Sequence, residues 1–135
     1  MTPNTIALVQ SSWSQVVPIA PQAAALFYDE LFARDPALKP LFRGDMTQQG
    51  AKLMQMIGVA VSKLPEPEVL IPALQALGRR HRGYGVVPAH YDTVGGALLA
   101  TLEKGLGPAF TDEVRAAWAT TYGVMSGVMI EAAAE

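Results

Sequence analysis

Apolar side chains recur at intervals of three and four residues along almost the whole chain. In the first segment Ile6, Val9, Trp13 and Val16 share one helical face. A stripe with the same spacing lies near the other end of the chain: Val114, Trp118, Tyr122, Met125, Met129. No segment shows sustained alternation next to a hairpin turn, so the sequence predicts an all-α protein.

Proline and glycine residues predict where these helices begin and end. Proline at a first helical position loses no bonded N–H, so Thr2 and Pro3 favour a helix start, and the Thr111 hydroxyl can cap the last helix. The stretch between Pro36 and Phe42 permits only a short helical turn. We expect helices from Pro3 to the break at Pro18, from about Gln22 to Ala33, from about Thr47 to Lys63, from Ile71 or Pro72 to Tyr84, from Pro88 to Gly105, and from Thr111 onward.

Length and composition predict one globular domain over residues 1–135. Half of the residues are hydrophobic, 16% are charged and the formal net charge is −2. No run of Lys or Arg predicts nucleic-acid binding, and no apolar stretch approaches the roughly 20 residues that a membrane span needs. The N-terminus has no basic and apolar leader, so we expect a cytoplasmic protein. The chain has no cysteine, which excludes disulfides, thiolate metal sites and cysteine nucleophiles.

Two small residues suggest a close helix crossing. Gly50 lies inside a predicted helix, where glycine costs about 1 kcal/mol relative to alanine. Ala24 in the preceding helix is a candidate partner, because two small residues let helices approach closely. The alternative is a glycine that is merely tolerated.

His81 is the candidate metal ligand. Leu77 precedes it by one turn and Val86 follows it, which predicts an imidazole that faces the interior, although most helical histidines are structural. The arginines beside it in sequence can point to solvent or to an anionic group at a pocket rim: Arg79, Arg80, Arg82. The other histidine, His90, lies in the first turn of a helix, where we expect solvent exposure.

Other catalytic motifs are absent from the sequence. There is no G-x-S-x-G elbow, phosphate-binding loop or H-E-x-x-H pair. One histidine without cysteines cannot build a structural zinc site, which takes about four protein ligands. A single imidazole can ligate a metal whose other positions are filled by a macrocycle, which indicates haem.

Several segments resemble the globins, in particular bacterial single-domain globins. They are Leu26–Phe32, Asp35–Phe42, Gln49–Met54, Gly78–Arg82, His90–Gly95 and Ala117–Gly123. The chain is also similar to the haem domain of flavohaemoglobins and, more distantly, to neuroglobin. The resemblance covers essentially the whole chain. It implies the globin fold, with helices packed three-over-three around a pocket for haem b.

The resemblance also implies roles for individual residues. It makes His81 the proximal iron ligand, Phe42 the ring against the haem face, Tyr28 and Gln49 the distal pair, and Leu53 an apolar wall. Further haem contacts are expected from four residues: Leu77, Val86, Tyr91, Val94. Lys52 is expected to pair with a haem propionate, to occupy the vacant iron position or to remain in solvent.

On the proximal side, Tyr91 corresponds to a flavohaemoglobin tyrosine that joins a glutamate near the proximal histidine. Glu135 could supply that carboxylate, which would push electron density towards iron. The alternative is that Tyr91 is a core aromatic residue and Glu135 a solvated tail.

The resemblance implies binding of O2, NO and CO, with tight O2 binding through the distal tyrosine and glutamine. The alternatives are nitric oxide dioxygenation with a reductase in trans, a haem-based gas sensor, and a haem-free interaction module. We expect a monomer or a weak homodimer.

Overall fold

The computed structural model describes residues 1–134, and this part of the chain contains helices and no strands. The all-α prediction is therefore confirmed. The α-helices are α1 (Pro3–Val16), α2 (Ala20–Arg34), α3 (Met46–Ser62), α4 (Pro67–Gly83), α5 (Pro88–Leu106) and α6 (Asp112–Ala133). Short 3-10 helices span Val17–Ile19, Pro36–Leu41 and Gly107–Ala109.

Threonine side chains cap α1 and α6 at the starts that the sequence predicts. The Thr2 hydroxyl accepts the N–H of Thr5 at 3.1 Å, and the Thr111 hydroxyl accepts the N–H of Val114 at 3.2 Å. His90 differs from expectation: it is half-buried, and its Nδ1 accepts the N–H of Val87 at 3.1 Å, which caps α5.

Two prolines lie inside helices whose starts the sequence places later. α4 begins at Pro67 rather than near Pro72, and α2 begins at Ala20, ahead of Pro21. Proline is tolerated in a first turn, where the N–H would have no partner. Pro72 removes one bond to the carbonyl of Glu68, and both residues are exposed, so that carbonyl can bond to water.

The core joins the two ends of the chain. Trp118 on α6 is fully buried, and its Nε1 donates to the Ser12 hydroxyl on α1 at 2.8 Å. The Trp13 and Trp118 rings pack with centroids 5.9 Å apart. α6 also packs along α4 and α5, while α2 packs against α3 and α5.

Two glycines bring helix pairs into close contact. A Cβ at Gly50 would lie 2.8 Å from the Cβ of Ala24, so α2 and α3 cross where the sequence predicts. A Cβ at Gly78 would lie 2.3 Å from the carbonyl oxygen of Met129, which places the backbones of α4 and α6 in direct contact one turn before His81. Within residues 1–134, no helix has the length and apolar character that a bilayer crossing requires.

Candidate functional site

His81 lies on the last turns of α4 with its ring partly buried. Its Nδ1 is 2.8 Å from the carbonyl oxygen of Leu77. A carbonyl only accepts hydrogen bonds, so Nδ1 carries the ring proton and the lone pair lies on Nε2. Burial lowers the pKa of His81 and the nearby Arg80 cation lowers it further, against the opposing effect of the bond to Leu77. The imidazole is therefore neutral near pH 7 and able to ligate a metal.

A cluster of tyrosines supports the His81 ring. The Tyr91 ring on α5 lies with its centroid 6.4 Å from that of His81. The Tyr122 hydroxyl donates to the backbone carbonyl of Tyr91 at 2.7 Å, and a Cβ at Gly95 would lie 2.8 Å from the Tyr122 ring. Burial raises the pKa of both Tyr91 and Tyr122, so both phenols stay protonated. The sequence predicts Tyr122 only as part of an apolar core stripe. Gly95, which contacts the Tyr122 ring, is the residue that could have indicated a close contact between α5 and α6.

The Tyr91 hydroxyl is buried and has no hydrogen-bond partner within residues 1–134. An unsatisfied buried hydroxyl costs about 1–3 kcal/mol, so it marks a place where a partner is expected. The carboxylate predicted for that role belongs to Glu135, which lies outside the described residues.

Tyr28 on α2 is buried among aromatic rings. It stacks on Phe32 with centroids 5.9 Å apart and contacts Phe42 edge to face at 5.4 Å. Burial raises the pKa of the Tyr28 phenol, which keeps its proton and remains a hydrogen-bond donor. The structure thus brings two predicted site residues, Tyr28 and Phe42, together. Phe32 was missed as a site residue, although it follows Tyr28 by four positions on the same helical face.

The Gln49 amide already has an acceptor. Its Nε2 donates to the backbone carbonyl of Arg43, in the loop before α3, and the side chain is half-buried. Lys52 is exposed, three residues further along α3. Its pairing with a haem propionate, its occupation of the iron position and its exposure to solvent stay predictions.

The remaining predicted contacts are apolar and half-covered. They pack against the core but stay partly exposed: Leu53, Leu77, Val86, Val94. Phe42 has the same intermediate exposure. Two cavities lie elsewhere, one of about 240 Å³ between α4 and α6 and one of about 280 Å³ among α1, α2 and α3, and neither is lined by a predicted site residue.

These residues fit haem better than a bare metal ion. Among the described residues no group of three or more His, Cys, Asp and Glu could hold an ion. A neutral imidazole with an available Nε2 supplies one ligand, and half-covered apolar side chains offer contacts to a flat apolar ring. The Tyr91 ring packs near His81, and its hydroxyl is a buried polar group without a partner among the described residues.

Two of the solved structures with a similar fold are bacterial proteins. One is a carbene transferase engineered from a Rhodothermus marinus protein provisionally named a nitric oxide dioxygenase. It is 24% identical, with a TM-score of 0.88 over 99% of this chain and 94% of that one. The other is a bacterial globin from Campylobacter jejuni, 22% identical, with a TM-score of 0.85 over 98% of this chain and 96% of that one.

These likenesses confirm the predicted globin fold. The family model described as Globin matches residues 25–129, which include His81, Tyr28 and Tyr91. That match implies a haem cofactor and binding of a small ligand such as O2. The chain belongs to the globin family.

Proposed function

We propose that this globin binds O2 at a haem iron held by Nε2 of His81. The observation that carries the proposal is the bond between His81 Nδ1 and the Leu77 carbonyl, which fixes the tautomer and leaves Nε2 as the donor. The haem is proposed to be of the b type, because a chain without cysteine cannot form thioether links to the macrocycle.

The haem iron supplies the position at which a diatomic ligand binds, and the distal residues decide which ligand is held. Dioxygen gains negative charge on binding and accepts hydrogen bonds, whereas carbon monoxide gains much less. The Tyr28 phenol is buried and protonated, so it can donate without a change of ionisation state. One of the two N–H groups of the Gln49 amide already donates to the Arg43 carbonyl, which leaves one for a ligand and restrains the side chain. Tyr28 is therefore proposed as the principal distal donor, with Gln49 secondary.

The rate of O2 release tests whether Tyr28 is the principal distal donor and Gln49 the secondary one. A hydrogen bond to a charged acceptor contributes about 1.5–3 kcal/mol, so Tyr28→Phe is expected to speed O2 release roughly 10- to 150-fold. Gln49→Leu is expected to have a smaller effect, and CO release should change little in either variant. Stopped-flow ligand replacement measures all of these rates, with Gln48→Ala as an exposed control on the same helix. Unchanged O2 release in both distal variants would show that the distal assignment is wrong.

Haem retention tests His81. His81→Ala is expected to lose tightly held haem, which the Soret band and the rate of haem transfer to an excess of apomyoglobin measure. His90→Ala is the matched control, since it removes the other imidazole and a helix cap but no proposed ligand. If His81→Ala retains haem with an unaltered spectrum, the assignment is refuted.

The second candidate function is nitric oxide dioxygenation. It is favoured by the likeness to the Rhodothermus marinus protein, whose name carries that activity, and by the same proposed distal donors. Nitric oxide and bound dioxygen would give nitrate and ferric iron, which needs one electron before the next cycle. Mixing the oxygenated protein with nitric oxide tests the candidate: it requires stoichiometric nitrate with ferric haem, and repeated turnover only when an electron donor is added. Release of O2 without nitrate would contradict it.

A further inference from the structure

We propose that an acidic one-electron carrier protein docks on the surface formed by Leu41, Tyr84 and Val87, with Arg43 and Arg80 at its edge. We name these five residues the docking face. The inference rests on the proposed function, because only a haem iron that becomes ferric needs such a carrier. In each encounter the carrier loses one electron, and the ferric iron gains it and becomes ferrous.

The cations of this chain are concentrated in the two segments that meet at the docking face. Residues 36–44 and 69–91 contain no Asp or Glu, but they hold five of the ten Lys and Arg residues: Lys39, Arg43, Arg79, Arg80, Arg82. The rest of the chain holds the other five together with all twelve acidic residues. Arg43 and Arg80 are exposed cations in these segments, and their charges would attract an acidic partner.

The centre of the docking face is apolar and exposed. Tyr84 is the most exposed large hydrophobic side chain described, at 65%, and Leu41 and Val87 are 40% and 47% exposed. The two segments lie close together, because a Cβ added at Gly85 would be 3.9 Å from the Leu41 side chain. Gly85 has φ +88°, a turn conformation that glycine adopts readily, and it lies between Tyr84 and Val87 in sequence. An apolar centre with a charged rim is the usual arrangement of a protein interface.

The docking face lies beside the proposed iron ligand. The Tyr84 ring centroid is 6.0 Å from that of His81, and the N–H of Val86 donates to the His81 carbonyl at 3.1 Å. Arg43 directly follows Phe42, the ring packed edge to face on Tyr28. Within residues 1–134 neither Arg43 nor Arg80 forms an ion pair, so both charges remain available to a partner.

Binding of a small acidic flavodoxin to the haem-loaded protein tests the proposal by calorimetry at low and high salt. Binding is expected at low salt and should weaken as salt screens the charges. Arg43→Glu and Arg80→Glu are each expected to weaken it roughly 3- to 10-fold. Arg115→Glu makes the same charge change on α6, where Arg115 pairs with Glu103, and should stay within about twofold of the unmodified protein. Tyr84→Ser should weaken binding without altering its salt dependence.

Four results would overturn the proposal. One is equal flavodoxin affinity in the arginine variants and the Arg115→Glu control. The second is preferential binding of the basic carrier cytochrome c. The third is capture of the protein by phosphatidylserine vesicles with the same sensitivity to Arg43→Glu and Arg80→Glu, while flavodoxin does not bind. The fourth is faster haem loss in the arginine variants with unchanged flavodoxin binding, which would assign the arginines to the haem propionates.

Failure of the proposed function gives a different result. Haem content is read from the Soret band of every variant before calorimetry. A protein that takes up no haem but binds flavodoxin with the expected pattern supports the docking face and overturns the haem assignment. A haem-loaded protein without salt-dependent flavodoxin binding overturns the docking face alone.

Discussion

Replacing Gly78 with alanine places a methyl group where two helices touch through their backbones. The added Cβ would lie 2.3 Å from the carbonyl oxygen of Met129 and within 2.8 Å of its Cα and carbonyl carbon. Ordinary contacts of this kind are about 3.4 Å or longer, so α4 has to move by roughly 1 Å. The obstacle is main chain of α6, which cannot rotate aside as a side chain would.

The expected loss of stability follows from two opposing effects. Overpacking costs about 1–3 kcal/mol, and a clash with backbone belongs at or above the upper end of that range. Alanine recovers about 1 kcal/mol of helix propensity. We therefore expect Gly78→Ala to lower the free energy of unfolding by about 2 kcal/mol, a large fraction of the 5–15 kcal/mol typical of a domain. Because His81 lies one turn further along α4, faster haem loss should accompany this change.

Urea unfolding followed by far-UV circular dichroism at a fixed haem concentration measures the effect, since bound haem adds to apparent stability. Gly83→Ala is the matched control: it lies in the same helix, has no atom within 4 Å of its Cβ position, and should be neutral or stabilising by up to about 1 kcal/mol. If Gly78→Ala gains stability as the control does, the close contact between α4 and α6 is not a constraint and the reasoning fails.

Three further predictions concern other contacts. Gly50→Ala should destabilise the protein by about 1 kcal/mol because its Cβ meets that of Ala24 at 2.8 Å; in an Ala24→Gly background the same change should be neutral or stabilising, and urea unfolding of the four proteins measures the coupling. Burial raises the pKa of Tyr122 above the ordinary 10.0, so the unfolded chain loses this proton first. Stability should therefore fall as pH rises above 10.0, less steeply in Tyr122→Phe, as chemical denaturation between about pH 9 and 11 will show. A hydrogen bond from Lys104 lowers the pKa of Glu30 below 4.5, so the stabilising effect of the Glu30 carboxylate is lost as pH falls through that lowered pKa. Lys104→Ala should return the pKa of Glu30 towards 4.5, which a carboxyl NMR titration measures.

Local patterns predict most of the fold because they depend on neighbours in sequence. The Thr2 and Thr111 caps and the crossing of Gly50 with Ala24 are read from spacing and residue size. The start of α4 cannot be predicted in this way, because proline is compatible both with a first helical turn and with a helix break. The packing of α4 on α6 favours helix around Pro72.

The candidate site is less predictable, because its contacts join distant segments. The sequence singles out His81, whose Nδ1 partner is four residues away on the same helix. It does not indicate that the Gln49 amide bonds to the Arg43 carbonyl, which depends on the path of the intervening loop. Nor does it indicate that Tyr122 holds the Tyr91 carbonyl, because 31 positions separate the two residues and only the crossing of α5 and α6 joins them.

The buried bond between Trp118 and Ser12 has a consequence during synthesis. The two residues are 106 positions apart, so α1 leaves the ribosome long before its partner is translated. Until α6 emerges, Trp13 of α1 lacks the indole that packs against it in the finished protein, and the nascent chain exposes apolar surface. A chaperone that recognises such surface would therefore engage the growing polypeptide until α6 is made and covers α1.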